Sequence, residues 1–192
     1  MTYAAIKFMH ILSVVLMSAP FYNLMIVNER ALMGKSPFAV DVYMENLINR
    51  AARRCFIYQF TALLTGLLLM PAGGMPISAI FESKVLITKL VLLLTLTSLL
   101  SVVHFHAHKG IGRLFAGVEG AEMPDEVARA ILPLRKLRKK IAATCLFIVI
   151  TIILLGIQAA LGFTPWLNAI FIPLAGLFAL RSFRSTVSYG WF

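Results

Sequence analysis

Four histidines and two lysines fall inside or at the rim of long apolar runs, where an ionisable side chain is costly and usually has a task. The histidines are His10, His104, His106 and His108, and the lysines are Lys7 and Lys89. A neutral imidazole is a good ligand for haem iron or copper, and it exchanges protons near neutral pH. His104 and His108 have the i, i+4 spacing that suits one metal ion. His10 reads as an axial ligand or a base, with Lys89, a water or the Met70 thioether as its companion. The metal-ligand candidates are therefore His10, His104 and His108. The candidate catalytic pair is His10 and Lys89. A bound cofactor would draw on His10, Lys89, His104, His108 and Lys7.

At about 100° per residue on a helix, Lys89, Thr97, Ser101, His104 and His108 fall within about 120° of one another, and His106 points away. Lys7, His10, Ser18 and Tyr22 share a similar arc. The economical packing sets these two polar faces against each other. His104 lies about 22 Å deeper than Lys89 at 1.5 Å per residue, so His10 and His104 cannot hold one metal atom directly. An outer site at His10 and an inner one at His104 and His108 follow. Interfacial solvation of the inner histidines and a helix–helix hydrogen bond at His10 remain open alternatives. The nine methionines form no ladder across a span and read as apolar filler.

The elements that must position these groups are helices in a bilayer. Of the 192 residues, 60% are hydrophobic and the mean hydropathy is +0.88. Ordinary soluble domains are about 45–50% apolar. Unbroken apolar runs of about 20 residues match the thickness of membrane hydrocarbon. The expected fold is an all-α integral membrane bundle in one domain, 1–192, with spans near 3–27, 55–70, 85–103, 141–161 and 167–180. The first span, with Pro20 as a kink, lacks a basic lead and a cleavage site and reads as a retained helix. The last span is short and contains Pro173. Loops 28–54 and 104–140 should be partly helical. Pro37 starts a helix, with Val40, Tyr43, Leu47 and Ala51 at helical spacing, and this helix should run into the second span. Pro124 starts another, which Pro133 should kink or interrupt.

The formal net charge is +10. In a membrane protein such an excess orients the chain and meets anionic lipid, so nucleic acid is not the expected partner. Both long loops and the C-terminus carry most of the Lys and Arg, which puts them in the cytoplasm and the N-terminus outside, in a bacterial plasma membrane. Cys55 and Cys145 read as buried free thiols. No nucleotide-binding, zinc-protease or nucleophile-elbow motif occurs. The acidic residues, Asp41 and Glu45 among them, fall in loops or at helix ends, which argues against a carboxylate proton relay across the membrane.

The segment Tyr3-Ala-Ala-Ile-Lys7-Phe-Met-His10-Ile-Leu, with Phe21-Tyr22 after it and Val85-Leu-Ile-Thr-Lys89-Leu-Val-Leu later, resembles the first and third spans of the HemJ-type protoporphyrinogen oxidases and their CopD-like relatives. The resemblance covers spans one to three. It implies a small haem-b-associated bundle in which His10 and Lys89 are the key polar pair and porphyrinogen is oxidised, with electrons passed to the respiratory chain. The leading expectation is thus a haem-b redox protein or a subunit of an electron-transfer complex, with Lys7 or Lys89 neutralising a propionate. Copper transport or handling through His10, Met17, Met70 and His104–His108 is a second expectation. A cofactor-free accessory subunit, packed against other membrane subunits or further copies of the chain, is a third.

Overall fold

Hydrocarbon offers backbone groups no water, so a chain crossing it must close its hydrogen bonds internally as helix or barrel. The computed structural model describes residues 2–17, 23–24, 26–27, 37–162 and 164–184, and every regular element among them is helical. These are α1 (Thr2–Leu16), α2 (Phe38–Ala72), the single turn α3 (Ala79–Glu82), α4 (Lys84–Val102), a π-helical turn (Val103–His108), α5 (Lys109–Ala116), α6 (Asp125–Leu161) and α7 (Pro165–Arg184). Four helical stretches are long and apolar enough to cross a membrane: α2, the continuous run from Lys84 to Ala116, α6 and α7. Helix α1 has 15 residues, and positions 23, 24, 26 and 27 of the expected first span are also helical. Pro20, Ser18 and Tyr22 lie outside the described residues.

Local sequence explains where the helices begin and end. Pro37 precedes α2 with an extended ψ of 142°, and Pro124 precedes α6 in the same way with ψ 141°. The Ser83 hydroxyl accepts the Leu86 N–H at 3.4 Å and caps α4. Gly162 closes α6 at φ 65°, a left-handed conformation that a β-carbon disfavours, and Pro165 opens α7 three residues later.

Two expectations about proline are corrected. Helix α6 runs uninterrupted through Pro133, and α7 runs uninterrupted through Pro173. Neighbouring helices stabilise such positions even though the proline removes one backbone bond. The last helix is therefore not short: its 20 residues span about 30 Å at 1.5 Å per residue.

Neighbouring helices are antiparallel throughout. Tyr3 lies beside Gly73 and His10 beside Gly66, which pairs α1 with α2. Gln59 meets Thr97 between α2 and α4. Lys89 meets Gly156 between α4 and α6, and Phe147 meets Gly176 between α6 and α7. The central core joins Met17, Ala62, Leu96, Cys145, Val149 and Ile152 from four helices. This alternation gathers the start of α2, the π-turn, α5, the start of α6 and the end of α7 at one end, called here the basic end.

That end has a packed layer of its own. Ile111 of α5 and Ile131 of α6 are buried, and a methyl group on Gly110 would come within 2.9 Å of Leu134. Phe38 meets Phe115 edge to face at 5.1 Å, and its N–H donates to the Ala121 carbonyl at 2.9 Å.

The buried stripe of α2 is Asp41, Glu45, Ile48, Ala52, Cys55, Gln59 and Ala62. Its alternating steps of four and three are the 3.5-residue repeat of a packed helix seam. The helix itself is as expected and runs into the second span, but its expected apolar face is turned outward: Tyr43 is 68% exposed and Leu47 is 40% exposed. The acidic residues face inward because arginines wait for them there. Arg135 Nη2 donates to Asp41 at 3.1 Å, and Arg135 Nε donates to Glu45 at 3.2 Å. Arg138 grips both oxygens of Glu45, through Nη1 to Oε2 and through Nη2 to Oε1 at 2.9 Å. Burial alone would push the Glu45 carboxyl up, but the hydrogen bonds and charges of Arg138 and Arg135 outweigh it and hold Glu45 below the usual carboxylate range.

Removing one partner of such a pair strands the other charge. Glu45→Ala should therefore cost about 3–5 kcal/mol, read as a lowered unfolding midpoint of the detergent-solubilised protein. Because the folded pKa is depressed, this stabilisation is complete above the ordinary value of 4.5 and is lost as pH falls through the lower folded value. The wild-type midpoint should fall steeply only in that acid range, and the Glu45→Gln variant should lack that part of the drop.

Candidate functional site

His10 sits on α1 three turns from its start and faces α2. Its Nδ1 is 3.0 Å from the Ala62 carbonyl oxygen and 3.1 Å from Thr65 Oγ1. A carbonyl oxygen only accepts, so Nδ1 must carry the proton. The Thr65 hydroxyl donates its own proton to the Thr61 carbonyl at 2.6 Å, which leaves its oxygen free to accept as well. Both neighbours thus select the tautomer whose Nε2 lone pair is unused. Ser13 donates back to the His10 carbonyl at 2.8 Å and lies buried on the same side.

Gly66 makes this arrangement possible. A methyl group there would stand 3.2 Å from His10 Cε1, closer than ordinary van der Waals contact. Lys89 reaches the same region from α4. Its Nζ lies against the α-carbon side of Gly156, 3.4 Å from where a β-carbon would be, and its charge is within electrostatic reach of His10. Two glycines on two helices therefore accommodate the two ionisable groups. Lys7 is exposed, with its ammonium 5.9 Å from the Tyr3 ring.

The expected packing of the first span against the third is corrected here. The main partner of α1 is α2, because α2 supplies the acceptors and the glycine gap that His10 needs. The polar face of α4 turns to α2 as well: Thr97 Oγ1 donates to Gln59 Oε1 at 2.9 Å, and Gln59 Nε2 lies 3.5 Å from Cys55 Sγ. Gln59 is 3% exposed. It is the middle member of the 3.5-residue stripe, and that stripe was the sequence signal that pointed to it.

The second group is at the basic end. The π-turn holds His104 and His108 with parallel rings, 6.4 Å between centroids and 7° between planes. His104 also meets Phe56 at 5.9 Å and Phe105 at 4.9 Å, both edge to face. The Nδ1 atoms of His104 and His108 are enclosed without a hydrogen-bond partner among the described residues. Burial holds His108 below the ordinary imidazole value. Arg138, His104 and Arg53 reinforce this, and Glu45 opposes it. His106 is exposed.

The structure thus brings His10 together with Lys89, and His104 together with His108, and leaves the two groups apart. Among the described residues no three His, Cys, Asp or Glu side chains are grouped so as to hold a metal ion. Met17 and Met70 are both buried, Met17 in the central core and Met70 one turn beyond Gly66 on α2. Cys55 and Cys145 are free and buried.

The fold and its polar interior define a multi-pass helical membrane protein. No family model, no curated protein and no solved structure matches the chain.

Gly66→Val should force the His10 imidazole off its two acceptors and lower the unfolding midpoint by the equivalent of about 1–3 kcal/mol, as overpacking does. Gly112→Val, at a site where a β-carbon meets nothing within 4 Å, should spare the α1–α2 contact. Disulfide cross-linking between cysteines placed at Tyr3 and Gly73 would report the difference: undiminished yield in Gly66→Val would contradict the role given to this glycine.

Proposed function

We propose that this chain is a haem-b-binding membrane redox protein, free-standing or part of a larger electron-transfer complex, with His10 as the axial ligand. One observation carries the reading. The Ala62 carbonyl and the Thr65 hydroxyl fix the Nδ1–H tautomer of His10 and orient the ring, as the outer partners of metal-ligating histidines commonly do. The exposed Nε2 lone pair is the donor that iron takes. Haem supplies reversible one-electron transfer when bound. The chain's own part is to hold and orient the ligand, to keep it neutral and to place the Lys89 cation near an anionic substituent such as a propionate.

His104 lies too far along α4 to complete the same coordination. The inner pair therefore stands apart from the His10 centre in this reading. Porphyrinogen oxidation, which the likeness of the first and third spans to HemJ-type proteins implies, is the catalytic form of the proposal, with His10 as base or ligand.

The sidedness belongs to the same proposal. The alternation of helices collects Arg50, Arg53, Arg54, Lys109, Arg113, Arg129 and the run Arg135–Lys140 at one end. The positive-inside rule then assigns this end to the cytoplasm and Trp166 to the outer side of a bacterial plasma membrane.

The purified protein should show reduced-minus-oxidised haem b bands, and His10→Ala should abolish them while retaining the helical circular dichroism. A colourless protein from cells supplied with haem precursor would reject the proposal and leave the His10 bonds as a helix–helix lock. For sidedness, a cysteine at Thr164 should react with an impermeant thiol reagent on intact cells, and one at Lys136 only after permeabilisation. The reverse pattern would overturn the assignment.

A further inference from the structure

The run Arg135-Lys136-Leu137-Arg138-Lys139-Lys140 looks like one basic block in sequence, but the helix divides it. At about 100° per residue, the two arginines lie on one face of α6 and the three lysines on another, centred about 120° away. The structure bears this division out in its contacts. Arg135 and Arg138 turn to Asp41 and Glu45 of α2, and Arg138 is 2% exposed. Lys136 and Lys140 are exposed, and Lys139 lies over the Phe183 ring of α7 at 5.7 Å. Burial there holds the Lys139 ammonium below its ordinary value.

Helix α7 adds to the same patch. It is antiparallel to α6, so its last turn, with Arg181 and Arg184, stands beside the lysines. The helices pack closely, since a methyl group on Gly176 would meet Phe147 at 3.7 Å. The level of this patch is also fixed. The apolar run of α6 begins at Ile141, directly after Lys140, and that of α7 ends at Leu180, directly before Arg181. Five basic groups on two helices therefore stand where hydrocarbon gives way to headgroups. The buried carboxylates of α2 that balance charge at this end face the arginines instead.

We propose that the α6–α7 surface formed by Lys136, Lys139, Lys140, Arg181 and Arg184 is a binding site for the headgroup of an anionic phospholipid carrying two phosphates. A lysine at the membrane surface is a phosphate ligand by point charge, and arginine adds paired donors. A diphosphate headgroup spans both helices, whereas a single phosphate meets only part of the patch. The arginine–carboxylate network makes the site selective within a basic end. It uses up the charge of the inward face and leaves the lysine face to lipid.

The test uses the whole protein in dodecyl maltoside, titrated with cardiolipin against a phosphatidylcholine background. Lipid retention is read by native mass spectrometry, and the unfolding midpoint is followed in parallel. Saturable retention of cardiolipin and a raised midpoint are expected. The variant K136Q/K139Q/K140Q should bind at least about tenfold more weakly. The variant R50Q/R53Q/R54Q removes as much charge from α2 at the same end and should change binding less than about threefold. Should the triple lysine variant not fold, Arg184→Gln, at an exposed helix end, should still weaken binding about three- to fivefold.

Equal losses in the two triple variants would overturn the site in favour of general surface charge. No preference for cardiolipin over phosphatidylcholine would overturn it outright. A full midpoint shift with 10 mM inorganic phosphate alone would show a soluble anion, not a lipid, as the ligand, and would likewise reject the proposal.

Discussion

The pairing of Asp41 and Glu45 with Arg135 and Arg138 is the interaction on which the arrangement of the bundle turns. All four groups are charged, and three of them are almost wholly enclosed. An isolated buried charge is severely unfavourable, so either helix is in difficulty without the other. The pairing fixes the rotation of both helices at once. It turns the buried stripe of α2 inward, and with it Cys55, Gln59 and Ala62. It also turns the arginine face of α6 inward and the lysine face outward.

The polar interior follows from that rotation. Once the stripe of α2 points to the bundle axis, Gln59 meets Thr97 of α4, and the Ala62 carbonyl meets His10 of α1. An amide and a hydroxyl in hydrocarbon need each other as partners, and so do an imidazole and a carbonyl. The result is a set of polar cross-links at different depths, all anchored on one helix. Helix α2 is thus the hub of the bundle. The third span contributes its polar face to this hub and does not form a separate seam with the first.

The π-turn has a related consequence. Sequence spacing alone places His104 and His108 about 40° apart on a regular helix, on the same face as Thr97 and Ser101. The wider turn over Val103–His108 resets the face of everything after Val102 and brings the two rings parallel. Such turns are uncommon and cluster at functional positions. Here the turn sits where the helix leaves the apolar run and enters the packed layer formed with Ile111 and Ile131.

The sequence by itself determined the class of fold. Long apolar runs in hydrocarbon have helix as their solution, the prolines at 37 and 124 marked two starts, and Gly162 with Pro165 marked the last turn. It also singled out His10, Lys89, His104 and His108, since ionisable groups in apolar runs are visible without coordinates. Tertiary structure decided which faces meet. Helical periodicity showed an apolar stripe from Val40 to Ala51, and burial by hydrophobicity alone would have turned it inward. The complementary charges on α6, about 90 residues away in the chain, reversed that choice. Gly66 and Gly156 gave no signal in the sequence, because a missing β-carbon matters only when a neighbour occupies the space. Partners distant in the chain set rotation and close approach, and one-dimensional spacing cannot carry that information.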